Sequence, residues 1–225
     1  MRLQLAPGQT ALVTGDYGTG KTTFVKWWTQ TVGRGCYWSA PTRSGAPPDY
    51  ADVARVVRSA PEMERAARDA AFVVWPSPPS SVGQEARLDA FDDYCRVAMK
   101  LSRAVVVCDE VQNILPSKFL KDCPPAFQDL VELGHKTPGL LAKVFVAHRL
   151  AQIPLVLGGG AYRISFRPFP GDEDALLPFF GKEGVERMKR FGKGEFAFWS
   201  QETGAVLPLK LRLGGATRGH AGGGK

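Results

Sequence analysis

At 225 residues, with 44% hydrophobic and 23% charged side chains, the chain can bury a full core and fits one α/β domain with a small C-terminal addition, which excludes two equal domains. The net charge of +7 suits a nucleic-acid partner without requiring one, and no run approaches the roughly 18 apolar residues of a membrane span. Cys36, Cys95, Cys108 and Cys123 form no C-x-x-C pair, and MRLQLAPGQT lacks a signal peptide's charged-then-apolar design. These features argue against a zinc site and for a soluble protein in a reducing, intracellular compartment.

In chain order, the first strong signal is Ala11–Thr14, a short apolar strand that runs into Gly15–Thr22, GDYGTGKT. This stretch fits the P-loop pattern G-x-x-x-x-G-K-[ST], and the residues from Thr22 to Thr31 can continue as a helix, as the pattern requires. Gly15, Gly18 and Gly20 let the backbone curl its N–H groups inward, and the helix N-terminus adds partial positive charge toward a bound phosphate. The nucleotide cradle is therefore Gly15, Asp16, Tyr17, Gly18, Thr19, Gly20, Lys21, Thr22 and Thr23. Lys21 is expected to reach the β- and γ-phosphates of ATP, and Thr22 to hold Mg2+.

A second strand is expected at Cys36–Ala40, and Val53, Val56, Val57 and Ala60 follow helical spacing. Pro61 sits well in the first turn of another helix, Ala71–Trp75 reads as a buried strand, and the stripe from Leu88 to Leu101 predicts a helix over 84–101. Ala104–Cys108 is apolar throughout, as in a central parallel strand, and ends in Asp109-Glu110. That is the form of a Walker B element: Asp109 would bind Mg2+, directly or through water, and Glu110 would polarise the attacking water. An acid beside the metal-binding aspartate favours hydrolysis over transfer to a substrate hydroxyl, which places a small-molecule kinase behind an ATPase.

The loop from Asn113 to Pro125 carries Lys118 and Lys121, and the next helix ends in His135-Lys136. Val144–Ala147 forms another buried strand with His148 and Arg149 at its carboxyl end, where open α/β sheets bind ligands. His148 is thus a candidate contact to the γ-phosphate or to the attacking water. Ala161–Phe166 is a further strand, followed by a helix from Asp172 to Phe180, a short basic helix from Val185 to Phe191, and a hairpin of Glu195–Ser200 with Ala205–Leu211. The expected organisation is an ATPase core over 1–180, a C-terminal helix and hairpin packed on it over 181–213, and a glycine-rich mobile tail over 214–225. The fold class is α/β, a RecA/ASCE-like P-loop NTPase with a mostly parallel sheet and helices on both faces.

From Leu12 to Leu211, the order of P-loop, DE-ended strand, FQDLVELGHK, VFVAHR and YRISFR resembles the FtsK–HerA superfamily of DNA-pumping ATPases. Within it, the layout looks most like the genome-packaging ATPases of tailless, membrane-containing double-stranded DNA viruses. Ala147-His148-Arg149 stands where the superfamily has Thr-Gln-Arg, so His148 takes the place of the sensor glutamine and Arg149 matches the sensor arginine. His135-Lys136 keeps the basic turn without its arginine, and Arg163 is preferred as the arginine that would act on a neighbouring subunit's ATP. The resemblance implies a homo-hexameric ring with ATP sites at its interfaces and double-stranded DNA in its centre, where Lys118 and Lys121 are candidate contacts. It also implies a place in the host cytoplasm or at the virion's packaging vertex, with a capsid or membrane protein as a further partner. The alternative is a P-loop assembly or secretion ATPase that does not pump DNA.

Overall fold

A computed structural model describes residues 5, 8–41, 46–115, 119–133 and 141–211. Lys118, His135, Lys136 and the tail over 214–225 lie outside them. A nine-stranded sheet organises the chain, in the order β3-β4-β2-β5-β6-β1-β7-β8-β9. The strands are β1 (Thr10–Thr14), β2 (Gly35–Ser39), β3 (Arg55–Val56), β4 (Phe72–Pro76), β5 (Val105–Cys108), β6 (Ala142–Ala147), β7 (Tyr162–Ser165), β8 (Glu195–Ser200) and β9 (Gly204–Lys210). The first seven pair in parallel, and β8 and β9 extend the sheet as an antiparallel hairpin on the β7 edge.

The central strands are apolar on both faces because both faces are covered. One face buries Phe24, Val25 and Trp28 of helix α1 (Lys21–Gln30) against Ala11, Val13, Val144, Val146 and Phe166. The other buries Trp38, Phe91, Tyr94, Phe127 and Phe145 under α2 (Ala60–Asp69), α3 (Gln84–Ala98), α4 (Pro125–Leu133) and α5 (Glu173–Met188). Each fully buried side chain of this size contributes about 1.5–3 kcal/mol of hydrophobic stabilisation. Among the described residues, no helix is long and apolar enough to cross a membrane, and all four cysteines are buried thiols.

One segment differs from the sequence expectation. The helical spacing of Val53 to Ala60 becomes turns and the two-residue edge strand β3, paired with β4. Four apolar residues over eight positions do not separate a helix from an edge strand, and Pro61 lets α2 begin only around Ala60. The two helices expected over 172–191 are both present within α5 and meet at Gly181 (φ 66°, ψ 169°), where the backbone leaves helical angles.

β2 passes so close to β5 that a Cβ on Gly35 would lie 2.5 Å from Val105 Cγ1 and 2.6 Å from the Val105 carbonyl oxygen. Gly35→Ala is therefore expected to cost about 2 kcal/mol and to lower the melting temperature by roughly 4–8 °C. Thermal unfolding followed by circular dichroism checks this, and an unchanged melt would refute the close contact.

Candidate active site

The site lies at the carboxyl ends of three adjacent parallel strands. β1 leads into the P-loop, β5 into Asp109-Glu110 and β6 into His148, and the sheet order places β6 between β5 and β1. His148 therefore emerges between two elements far away in sequence. The cleft there, about 290 Å³, is lined by the P-loop from Tyr17 to Thr23, by Asp109, Glu110 and His148, and by Lys193.

The shape of the P-loop depends on glycine at two positions. Gly15 has φ 139°, and a Cβ there would lie 2.7 Å from Cβ of Phe166. Gly20 has φ 106° and is the residue from which α1 starts, so its backbone can turn the first helical N–H groups toward the cleft. Asp16 is held on both sides: its N–H donates to the Arg167 carbonyl at 2.8 Å, and its carboxylate meets the Arg167 guanidinium at 3.1 Å.

Lys21 is 5% exposed, and its ammonium donates to the carbonyls of Gly15 and Asp16, each at 2.8 Å. Its third partner is Nδ1 of His148 at 2.9 Å. An ammonium can only donate, so Nδ1 accepts, and the ring proton sits on Nε2, which donates to Glu110 Oε1 at 2.9 Å. Tyr17 stacks on the imidazole with ring centroids 3.8 Å apart. The result is a continuous chain, Lys21 to His148 to Glu110. Burial lowers the Lys21 pKa to about 8, opposed by the charges of Asp109, Glu110 and Asp16. The hydrogen bond from His148 is the main influence holding the Glu110 carboxyl below its ordinary range.

Glu110 adopts left-handed backbone angles, φ 50° and ψ 45°, which are uncommon for a residue with a side chain. This turns its carboxylate back toward His148 while a short 3-10 turn, Val111–Asn113, continues the chain. Asn113 donates to Glu110 Oε2 at 2.5 Å, and the backbone N–H of His148 donates to Gln112 Oε1 at 3.3 Å.

Asp109 is 3% exposed and accepts a hydrogen bond from the Tyr50 hydroxyl at 2.9 Å. Tyr50 stacks on Tyr37 at 4.4 Å, and the Tyr37 hydroxyl lies 2.9 Å from Thr29 on α1. Desolvation raises the Asp109 pKa to about 7, with the Tyr50 hydrogen bond opposing it. A desolvated carboxylate and the Thr22 hydroxyl, both lining one cleft, are hard-oxygen donors that fit Mg2+. The lysine and the glycine-shaped helix N-terminus likewise fit the phosphates of ATP. When bound, Mg2+ would draw charge from the phosphate oxygens.

The remaining sequence candidates lie elsewhere. Arg149 is exposed, with its guanidinium 4.3 Å from the centre of the Phe169 ring, and it does not line the cleft. Arg163 stands in register with Leu12 on β7, 9% exposed, with its guanidinium 3.6 Å from the Phe179 ring centre. That strand position faces α5, whose Phe179 covers the guanidinium. Lys121 is exposed on a 3-10 turn, Leu120–Asp122, near Phe119. Sequence reasoning missed Tyr50, Gln112, Arg167 and Lys193 as parts of the site. Only tertiary contact joins them to it; the sole local hint was Arg167 following the strand YRISF.

A Lys-bearing P-loop, an acid-ended parallel strand and a polar side chain on the strand between them define a P-loop ATPase. The chain belongs to the AAA domain family, whose match spans residues 6–152. In fold it is similar to the genome packaging NTPase B204 of Sulfolobus turreted icosahedral virus 2 in complex with ATP-gammaS, at TM-score 0.70 and 14% identity, covering 92% of this chain and 99% of that one. It is also similar to VirB4 of Thermoanaerobacter pseudethanolicus, at TM-score 0.67 and 9% identity, over 91% and 89% of the two chains. A third likeness is to the cytoplasmic domain of the Type VII secretion ATPase EccC of Thermomonospora curvata, at TM-score 0.53 and 14% identity, covering 91% of this chain and 25% of that one. No curated protein sequence matches. These likenesses agree with the α/β P-loop NTPase fold read from the sequence.

The Asp109 shift gives a stability prediction. Its pKa rises on folding, so ionisation works against the fold, with an effect absent below about pH 4 and complete above the folded value of about 7. Asp109→Asn is expected to raise the melting temperature of the nucleotide-free protein by roughly 3–6 °C at pH 8, with the gain vanishing toward pH 4. Differential scanning calorimetry at the two pH values checks the sign.

Proposed function

We propose that the protein is an ATP-driven translocase of double-stranded DNA, acting as a genome-packaging motor in a ring of subunits. The observation that carries the hydrolytic part is the chain from Lys21 through His148 to Glu110. Lys21 would move from its backbone carbonyls onto the β- and γ-phosphates. His148, released from Lys21 on one side, keeps its hydrogen bond to Glu110 on the other and so couples phosphate occupancy to the position of the base. Glu110, held ionised, accepts the proton of the attacking water, and Asp109 with Thr22 would hold Mg2+.

Support for DNA movement is the likeness to the packaging NTPase along nearly the whole of both chains, together with the net charge of +7. A motor that moves along any sequence grips phosphates rather than base edges. Lys121, with Lys118, is a candidate for that grip. Of the two arginines considered for action on a neighbour's ATP, Arg149 is the better candidate, since it is exposed at the carboxyl edge. The likeness to VirB4 and to the secretion ATPase favours one second reading, an assembly or secretion ATPase in which a protein replaces DNA as the moved partner.

Lys21→Ala is expected to abolish ATP binding and hydrolysis. Glu110→Gln should retain ATP binding while lowering kcat about 10²- to 10⁴-fold. Wild-type ATPase activity should rise with long double-stranded DNA, and that stimulation should fade between 50 and 200 mM salt. A steady-state rate indifferent to DNA but raised by a capsid or membrane protein would replace the motor with the second reading.

A further inference from the structure

The turn between α5 and β8, Gly192-Lys193-Gly194, is more than a connection between two elements. The Gly194 N–H donates to the carbonyl of Thr19 in the P-loop at 2.9 Å, so the turn is fastened directly to the phosphate cradle. Its approach is close: a Cβ on Gly20 would lie 3.5 Å from Gly194 Cα, and Gly194 itself has φ 79°. The other end is fixed by Glu195, whose carboxylate accepts the Gly192 N–H at 2.9 Å and lies 3.6 Å from the Lys210 ammonium. Leu211 closes the arrangement by donating its N–H to the Gly194 carbonyl at 2.9 Å.

The consequence is the placement of Lys193. It lines the cleft with Lys21, Thr22 and Thr23, and the acid nearest to it in sequence, Glu195, is already engaged by Gly192 and Lys210. Among the described residues, Lys193 forms no ion pair with a carboxylate. A cation held at the mouth of a phosphate cradle by a braced turn has an obvious counter-charge in a nucleotide's phosphates.

We infer that Lys193 is a second phosphate-binding lysine, supplied by the C-terminal segment of the same chain, that contacts the phosphates of the bound nucleotide. This rests on the reading of the cleft as the nucleotide site. Phosphate binding would also tie the β8–β9 hairpin to nucleotide occupancy, because Lys193 and the first residue of β8 belong to one turn.

The test is equilibrium binding of fluorescent mant-ADP and mant-ATP to wild type, Lys193→Met, Lys193→Arg and Lys21→Ala, with steady-state kinetics alongside. Lys193→Met should raise Kd for both nucleotides about tenfold, and should raise KM more than it lowers kcat. Lys193→Arg, which keeps the charge, should restore Kd to within about threefold of wild type. The nucleotide-free melting temperature of Lys193→Met should match wild type, which separates a phosphate contact from a bracing role. If Lys193→Met binds both nucleotides as tightly as wild type while Lys21→Ala binds neither, the inference fails and the cleft stands. Should wild type itself bind no nucleotide, the reading of the cleft fails and takes the inference with it.

Discussion

The structure of the site depends on burying one ammonium. A lysine that is 95% covered needs acceptors for its three protons, and the P-loop supplies two of them from its own backbone, at Gly15 and Asp16. The third must come from outside the loop. It comes from His148, and the imidazole then has its remaining proton fixed toward Glu110. One requirement, that a buried cation be fully hydrogen-bonded, thus determines the tautomer of the histidine and the orientation of the acid next to it. The left-handed backbone of Glu110 is the local cost of that orientation, about 1–3 kcal/mol for strain of this kind.

Asp109 is held from the opposite direction. Its support runs through Tyr50 and Tyr37 to Thr29 on α1, the helix that begins at Lys21. The carboxylate and the P-loop are therefore braced by the same helix, one at its start and the other through a side chain two turns along. Both rings are fully buried and stacked, which gives this strut stiffness. Such bracing keeps the Asp109 carboxylate in place even while its charge is poorly solvated.

The C-terminal segment belongs to the site as well. β8 and β9 continue the sheet past β7, and the turn before β8 is bonded to the P-loop. Arg167, just after β7, grips Asp16 from the same side. The P-loop is consequently enclosed by residues from far along the chain, and its conformation is linked to the edge of the sheet farthest from β3.

The sequence by itself determined the phosphate cradle, the acid pair and most of the strands. These signals are local: glycines at fixed offsets from a lysine, and short apolar runs ending in polar residues. It also marked His148 as a candidate, because a polar residue ending a buried strand stands at the ligand-binding edge. The tertiary structure alone decided that β6 inserts between β5 and β1, and this insertion puts His148 between Lys21 and Glu110. It alone brought Tyr50 onto Asp109 and Lys193 to the P-loop, and it alone buried Arg163 beneath Phe179. Strand order and the facing of a side chain are set by which hydrophobic surfaces cover one another across the whole chain, and no short stretch of sequence carries that information.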